Sequence, residues 1–219
     1  MRSFDLIAPY YDRLAALVYG QAIRKAHTVH LDKIPPEATI LVVGGGTGWW
    51  LKKLLADRPC CTIWYVDASQ KMLQQARAHA GGCQRVVFIH GNERHIPAMA
   101  FDVVITSFFL DMFQGQCLDD MISLLKGRMA KGGRWIVSDF VDDRLWQRML
   151  LFFMYRFFKA MGILDLTRMP DWRRALKNQL LECRMHAAFY GRFIWSNVYE
   201  AMNNDEAGEK GWREVEIPL

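Results

Sequence analysis

Residues 44–48 read Gly-Gly-Gly-Thr-Gly, and an aspartate, Asp67, stands 19 residues after Gly48. Glycine adopts positive φ and leaves the main chain bare, so a ligand can touch the backbone there. A carboxylate at the end of the following strand can accept from both hydroxyls of a ribose. Together these residues describe a site for an adenine nucleoside. A phosphate-cradling P-loop needs Lys and then Ser or Thr after the glycines; Trp49-Trp50 follow instead. The glycines at Gly44, Gly46 and Gly48 are spaced G-x-G-x-G, not the G-x-G-x-x-G of a dinucleotide site.

Two carboxylates could add chemistry. Asp111, in FLDMF, follows a strand-like run. It could serve as a general base or orient an acceptor hydroxyl. It could equally cap a helix beginning at Met112. Asp139, after IVS, is a second rim candidate, with a loop cap as the favoured role. The six histidines show no metal-ligand spacing and read as surface or satisfied core residues, so no metal site is expected. The five cysteines form no CxxC pair, which suits reduced thiols in a cytoplasmic protein.

The elements that must hold these groups alternate. TILVV, CTIWYVD, RVVFIH, FDVVITSF and GRWIVSDF read as strands. Helical stretches lie around them: IRKAHTVHLDKI, WWLKKLLAD, SQKMLQQARAHA, LDDMISLLKGRM and DWRRALKNQLLE. CRMHAAFY and RFIWSNVY, joined at Gly191, close the pattern as a hairpin. This predicts an α/β fold: a doubly wound seven-stranded sheet, mostly parallel, with an antiparallel C-terminal hairpin. The expected organisation is a single domain over 1–200, with an N-terminal helical cap over 1–36, a lid helix insert over 142–164 and a polar tail over 201–219. The chain has 219 residues, 52% of them hydrophobic, enough for one full core. Its net charge of +5 is too modest to name a partner. No signal-peptide core and no uninterrupted membrane-spanning run is visible.

The chain resembles the class I S-adenosylmethionine-dependent methyltransferases, most closely the ubiquinone/menaquinone-type small-molecule branch. ILVVGGGTG, YVDAS followed by Lys71-Met72-Leu73, FIHGNERHIP, FDVVITSFFLDMF and LKGRMAKGGRWIVSDF carry the resemblance. It implies a Rossmann-like fold with reversed sixth and seventh strands, and S-adenosylmethionine as cofactor. It implies that Gly44, Gly46, Thr47 and Gly48 pass under the methionine part, that Asp67 holds the ribose, and that Ala68 and Met72 flank the adenine. Asn92 stands where the family usually has Asp and would accept from the adenine amino group; Glu93 would offer its backbone N–H. Ser107 and Phe108 would lie near the sulfonium. Tyr10 and Tyr11 resemble an aromatic cap over the cofactor. One departure is Val42, where the family usually places Asp.

The resemblance and the residues point to methyl transfer to a small, lipophilic or aromatic acceptor. A cofactor-binding regulatory or scaffold protein is the alternative, and an RNA or protein methyltransferase a third reading. No nucleic-acid module is visible, so no nucleic-acid partner is expected. Within 142–164, Arg144, Arg148, Arg156 and Lys159 fall in one helical sector about 120° wide. Trp146, Phe153 and Phe157 lie on the other side, and Phe153 and Phe157 are expected to face inward onto the acceptor. The basic sector could also contact an anionic membrane.

Overall fold

A computed structural model of the protein describes residues 18–162 and 168–202. The runs rich in β-branched residues form β1 (Thr39–Val43), β2 (Thr62–Asp67), β3 (Val86–His90), β4 (Phe101–Ser107), β5 (Met129–Phe140), β6 (Leu181–Phe189) and β7 (Ile194–Ala201). They make one sheet in the order β3-β2-β1-β4-β5-β7-β6. The first five strands pair in parallel. β7 is antiparallel to both β5 and β6. Among the described strands only β7 runs against the sheet, and the C-terminal hairpin is antiparallel as expected. The strand order turns back between β1 and β4, and the crevice at the carboxyl ends of such a pair is where doubly wound sheets bind ligands.

Helices cover the sheet: α1 (Ala22–Thr28), α2 (Leu51–Asp57), α3 (Gln70–Ala80), α4 (Gln116–Lys126), α5 (Leu145–Ala160) and α6 (Trp172–Asn178). Successive strand residues point to opposite faces, and β1 divides its side chains accordingly. Ile40 and Val42 join Leu51 and Leu54 of α2 and Leu73 and Ala76 of α3. Leu41 and Val43 join Leu118 and Ile122 of α4 and Leu176 of α6. Because both faces are buried, β1 is a continuous apolar run rather than an alternating one.

Three helices are shorter than the sequence suggests. The first ends at Thr28 and gives way to a 3₁₀ turn at Leu31–Lys33. The second starts at Leu51, after the tryptophan pair. The last stops at Asn178, because Leu180 takes a left-handed φ of 58° and Leu181 enters β6. α1 is tied to the sheet through one carbonyl: Ala26 O accepts from Ser138 Oγ of β5 and from Ser196 Oγ of β7, each at 3.0 Å. This fixes the end of α1 over the carboxyl half of the sheet.

α3 matters to the site because it starts directly after Asp67. Ser69 caps it, its Oγ accepting from Met72 N at 3.2 Å, and Gly81 closes it with φ of 60°. Loss of that cap in Ser69→Ala should lower stability by about 1 kcal/mol in urea melts, while Ser69→Asp, which also caps, should lose much less. Equal losses in the two variants would show that the hydroxyl is not acting as a cap.

Candidate functional site

The glycine turn leaves β1 at the crevice. Gly44, Gly46 and Gly48 all have positive φ, between 63° and 64°. Their reasons for being glycine differ. A Cβ on Gly44 would stand 2.3 Å from the Phe109 ring, and one on Gly48 would stand 2.9 Å from Ala76 Cβ. A Cβ on Gly46 would meet nothing within 4 Å. Gly44 and Gly48 are thus required by packing, whereas Gly46 presents bare main chain to open space. Its N–H donates to Asp67 Oδ2 at 2.9 Å, and its carbonyl accepts from Tyr65 Oη at 3.1 Å. Asp67 Oδ1 accepts from Ser69 N at 2.8 Å. The carboxylate that ends β2 is therefore aligned beside the turn by two backbone donors, one on each oxygen.

The other residues expected to hold the cofactor gather at the same edge. Thr47 is buried, and its carbonyl pairs with His79 Nδ1 at 2.9 Å. Ala68 is exposed next to Asp67, and Met72 is buried in the first turn of α3. Glu93 opens a 3₁₀ turn over Glu93–His95 after β3. Asn92 caps that turn, its Oδ1 accepting from Arg94 N at 3.3 Å and pairing with His95 Nδ1 at 2.9 Å. The oxygen expected to meet an adenine amino group is therefore engaged in the turn. Tyr10 and Tyr11 lie outside the described residues, as do 163–167 within the expected lid segment and 203–219 of the expected tail.

At the end of β4, Ser107 is buried and Phe108 has φ of 52°. A left-handed aromatic residue is costly and is held only where its surroundings require it. Here Phe108 N donates to Ser138 O at 2.7 Å, and its ring packs on Phe140 at 4.8 Å and His27 at 5.3 Å. His27 comes from α1, about twenty residues before the glycine turn, and no spacing in the sequence marks it. Its ring also meets Trp49, at 5.5 Å. Nδ1 must donate to the Ile23 carbonyl at 2.8 Å, which leaves the lone pair on Nε2. Burial pushes its pKa down to about 4, so the ring is neutral at physiological pH. Reading it as one of six bland histidines missed this placement.

Asp111 lies within a 3₁₀ turn, Leu110–Met112, and does not cap a helix at Met112. Asp139 takes the capping role: its Oδ2 accepts from Leu110 N at 3.0 Å and Asp111 N at 3.2 Å, and its Oδ1 from Phe140 N at 2.8 Å. Both carboxyls are buried, and Asp111 Oδ1 has no hydrogen-bond partner. Burial pushes Asp111 up to about 7 and Asp139 well above the ordinary carboxylate range, with the Asp111 charge adding to the latter. The pair cannot comfortably hold two charges, so it titrates as a unit. Three N–H donors favour negative charge on Asp139. The shared proton accordingly belongs on Asp111. Tyr155 of α5 adds a second buried and unpartnered oxygen, and burial together with the Asp111 and Asp139 charges raises its pKa.

α5 faces the site with Gln147, Leu151 and Tyr155. Phe153 and Phe157, expected inside, are 63% and 47% exposed. The wall near the carboxyls is built instead from Tyr19, Phe140 and Phe193, with Leu151 and Tyr155 packed on them.

The raised Asp111 pKa has a definite consequence for stability. The folded chain holds a proton there that the unfolded chain releases near 3.8, so the fold loses stability as pH rises from about 4 to about 7. Asp111→Asn cannot ionise. It should gain on the wild type by about 2–4 kcal/mol in that window, read from urea unfolding at pH 5 and pH 8. A difference that does not change with pH would rule out the raised pKa. At the turn, Gly46→Ala should fold with a loss of about 1–2 kcal/mol, whereas Gly44→Ala, driven into the Phe109 ring, should lose considerably more.

Comparisons with known proteins point to methyltransferases. Residues 40–133, from β1 into β5, match the family described as a methyltransferase domain. The chain is 29% identical over 161 residues to a malonyl-[acyl-carrier protein] O-methyltransferase of Halalkalibacterium halodurans, covering 67% of this chain and 57% of that protein. It is 31% identical over 147 residues to the protein of the same name from Methylococcus capsulatus, covering 65% of this chain and 52% of that one. The chain thus spans little more than half the length of these relatives. The DhpI–SAH complex shares the fold, with a TM-score of 0.68 at 16% identity over 90% of this chain and 93% of that one. Residues 40–133 thus match a methyltransferase domain, and the chain shares the fold of the DhpI–SAH complex.

Proposed function

We propose that this protein transfers a methyl group from S-adenosylmethionine to an oxygen of a small acceptor with an apolar or aromatic body. The observation that carries the reading is the bare face of Gly46, open to ligand while its N–H is held by Asp67. These residues fit the cofactor: Gly44, Gly46, Thr47 and Gly48 would hold its methionine part, Asp67 would accept from the ribose hydroxyls, and Ala68, Met72 and Glu93 would border the adenine. Asn92 keeps the 3₁₀ turn in place beside it. The bound SAH in the DhpI complex and the O-methyltransferase names of the curated relatives support cofactor and accepting atom. The five free cysteines suit a cytoplasmic setting. A lipophilic acceptor would come from a membrane surface, which suits the composition of α5.

When bound, S-adenosylmethionine supplies a methyl group already activated on a positively charged sulfur. The protein's part is then to position, to exclude water and to move one proton. Ser107 and Phe108 border the reacting end, and the Tyr19, Phe108 and Phe140 rings keep it dry. Once Asp111 has ionised, above about pH 7, its Oδ1 takes the proton of the acceptor hydroxyl, and Tyr155 Oη orients that hydroxyl. Neutral His27 adds an apolar wall without adding charge.

Calorimetry should show binding of S-adenosylhomocysteine and no response to NAD, and Asp67→Ala should weaken that binding by about 1.5–3 kcal/mol. Micromolar NAD affinity without S-adenosylhomocysteine affinity would reverse the reading. Mass spectrometry of small molecules that gain one methylene with enzyme and cofactor identifies the acceptor. With that acceptor, Asp111→Asn should lower kcat on the order of 10²–10⁴-fold while cofactor affinity is kept. The wild-type pH profile should rise through about 7 as Asp111 loses its proton. Full turnover in Asp111→Asn removes it from the chemistry.

A further inference from the structure

α5 turns an apolar surface outward. Leu145, Met149, Phe152, Phe153 and Phe157 are between 47% and 77% exposed, although all five are large hydrophobic residues on one helix. On a regular helix they occupy one broad sector opposite Gln147, Leu151 and Tyr155. Arg156 lies inside that sector and Arg148 at its border, both exposed. From Leu145 to Ala160 the helix has no Asp or Glu.

The surface continues past the helix. Trp146 lies against the tip of the β6–β7 hairpin, its ring 6.2 Å from that of Tyr190, and both rings are partly exposed. Exposed Arg192 follows on the same tip, 5.8 Å from the Trp195 ring. Aromatic rings with one apolar and one polar edge settle at the boundary between hydrocarbon and water. Arginine extends its stem along apolar matter and keeps its charge among headgroups.

Charge separates the possible occupants of this face. A second copy of the chain, docked helix to helix about a two-fold axis, would bring Arg156 and Arg148 toward their own counterparts. No carboxylate on α5 could neutralise them, and a desolvated, unpaired cation is strongly unfavourable. An anionic lipid headgroup supplies the missing negative charge, and acyl chains take the phenylalanines. Among the described residues no helix is long and apolar enough to cross a membrane, so the contact is with the surface layer. We infer that the outer face of α5, with the β6–β7 tip, docks the protein on the surface of an anionic membrane. The inference goes beyond methyl transfer and does not rest on it.

The test uses the full chain with no cofactor or acceptor, so its outcome is independent of the catalytic reading. The protein is sedimented with phosphatidylcholine vesicles, with or without phosphatidylglycerol, across a range of salt. It should pellet with the phosphatidylglycerol vesicles and release as salt rises. Arg148→Gln with Arg156→Gln should weaken that binding about thirtyfold, at about fivefold per basic residue near the surface. Phe153→Ser with Phe157→Ser should abolish it. Both pairs point away from the fold, so urea midpoints should hardly move, which separates lost docking from lost folding. No pelleting with either vesicle, or pelleting indifferent to both pairs, overturns the inference. So does a dimer in light scattering that Phe153→Ser with Phe157→Ser dissolves in a protein that never pellets; that result gives the face to a second copy.

Discussion

The link between Gly46 N and Asp67 Oδ2 is the contact on which the site is built. It joins the turn after β1 to the end of β2, two strands that lie side by side in register from Thr39 with Thr62 to Val43 with Val66. The turn needs left-handed backbone, which costs little only because glycine has no Cβ. The carboxylate needs fixed donors to hold its plane, and it finds them in the turn and in the first residue of the next segment. Each group thereby orders the other. The open face of Gly46 is a product of that arrangement, because Gly44 and Gly48 on either side are already filled by Phe109, Ala76 and Leu51.

On the acceptor side a different constraint operates. Buried polar atoms are ordinarily paired, yet Asp111 Oδ1 and Tyr155 Oη are both buried without partners. They come from elements that do not adjoin in sequence, the turn after β4 and the helix after β5. Asp139 explains how the turn is held, since it collects the N–H groups that the turn would otherwise leave unpaired. Burial raises the Asp111 pKa, and the Asp111 charge in turn adds to the burial that raises Asp139. Stability is thus given up at a point where a proton can be received, a common arrangement for groups that do acid–base work.

The sheet, its order-reversing crevice and the glycine turn were legible because each rests on local pattern: β-branched runs, glycine at a strand end, and Asp67 at the end of the next strand. Asp111 was legible as a candidate from its place after β4, but not its raised pKa, which comes from burial that only the fold creates. Asp139 was read as a loop cap, and the segment it caps was seen only in the fold. His27 was not legible at all. Its place beside Phe108 comes from α1 lying over β5 and β7, fixed by Ser138 and Ser196 hydrogen bonds that span more than a hundred residues. The antiparallel C-terminal hairpin was legible too, although a hairpin requires its strands to oppose each other without saying which one opposes the sheet.

α5 shows why hydrophobic pattern can name a helix correctly and still assign its faces the wrong way round. The usual inference places the apolar stripe inward because the interior is apolar. Below α5 the interior contains two carboxyls, and the helix meets it with Gln147 and Tyr155 as well as Leu151. Gln147 Oε1 accepts from Arg144 N at 2.8 Å, so that side chain also serves the start of the helix. A polar site therefore draws polar residues to the inner face, and the phenylalanines are left to the outer one. In water alone such a face would be a liability. The proposed functions give each face its own medium, a hydrogen-bonding acceptor below and an apolar, anionic surface above.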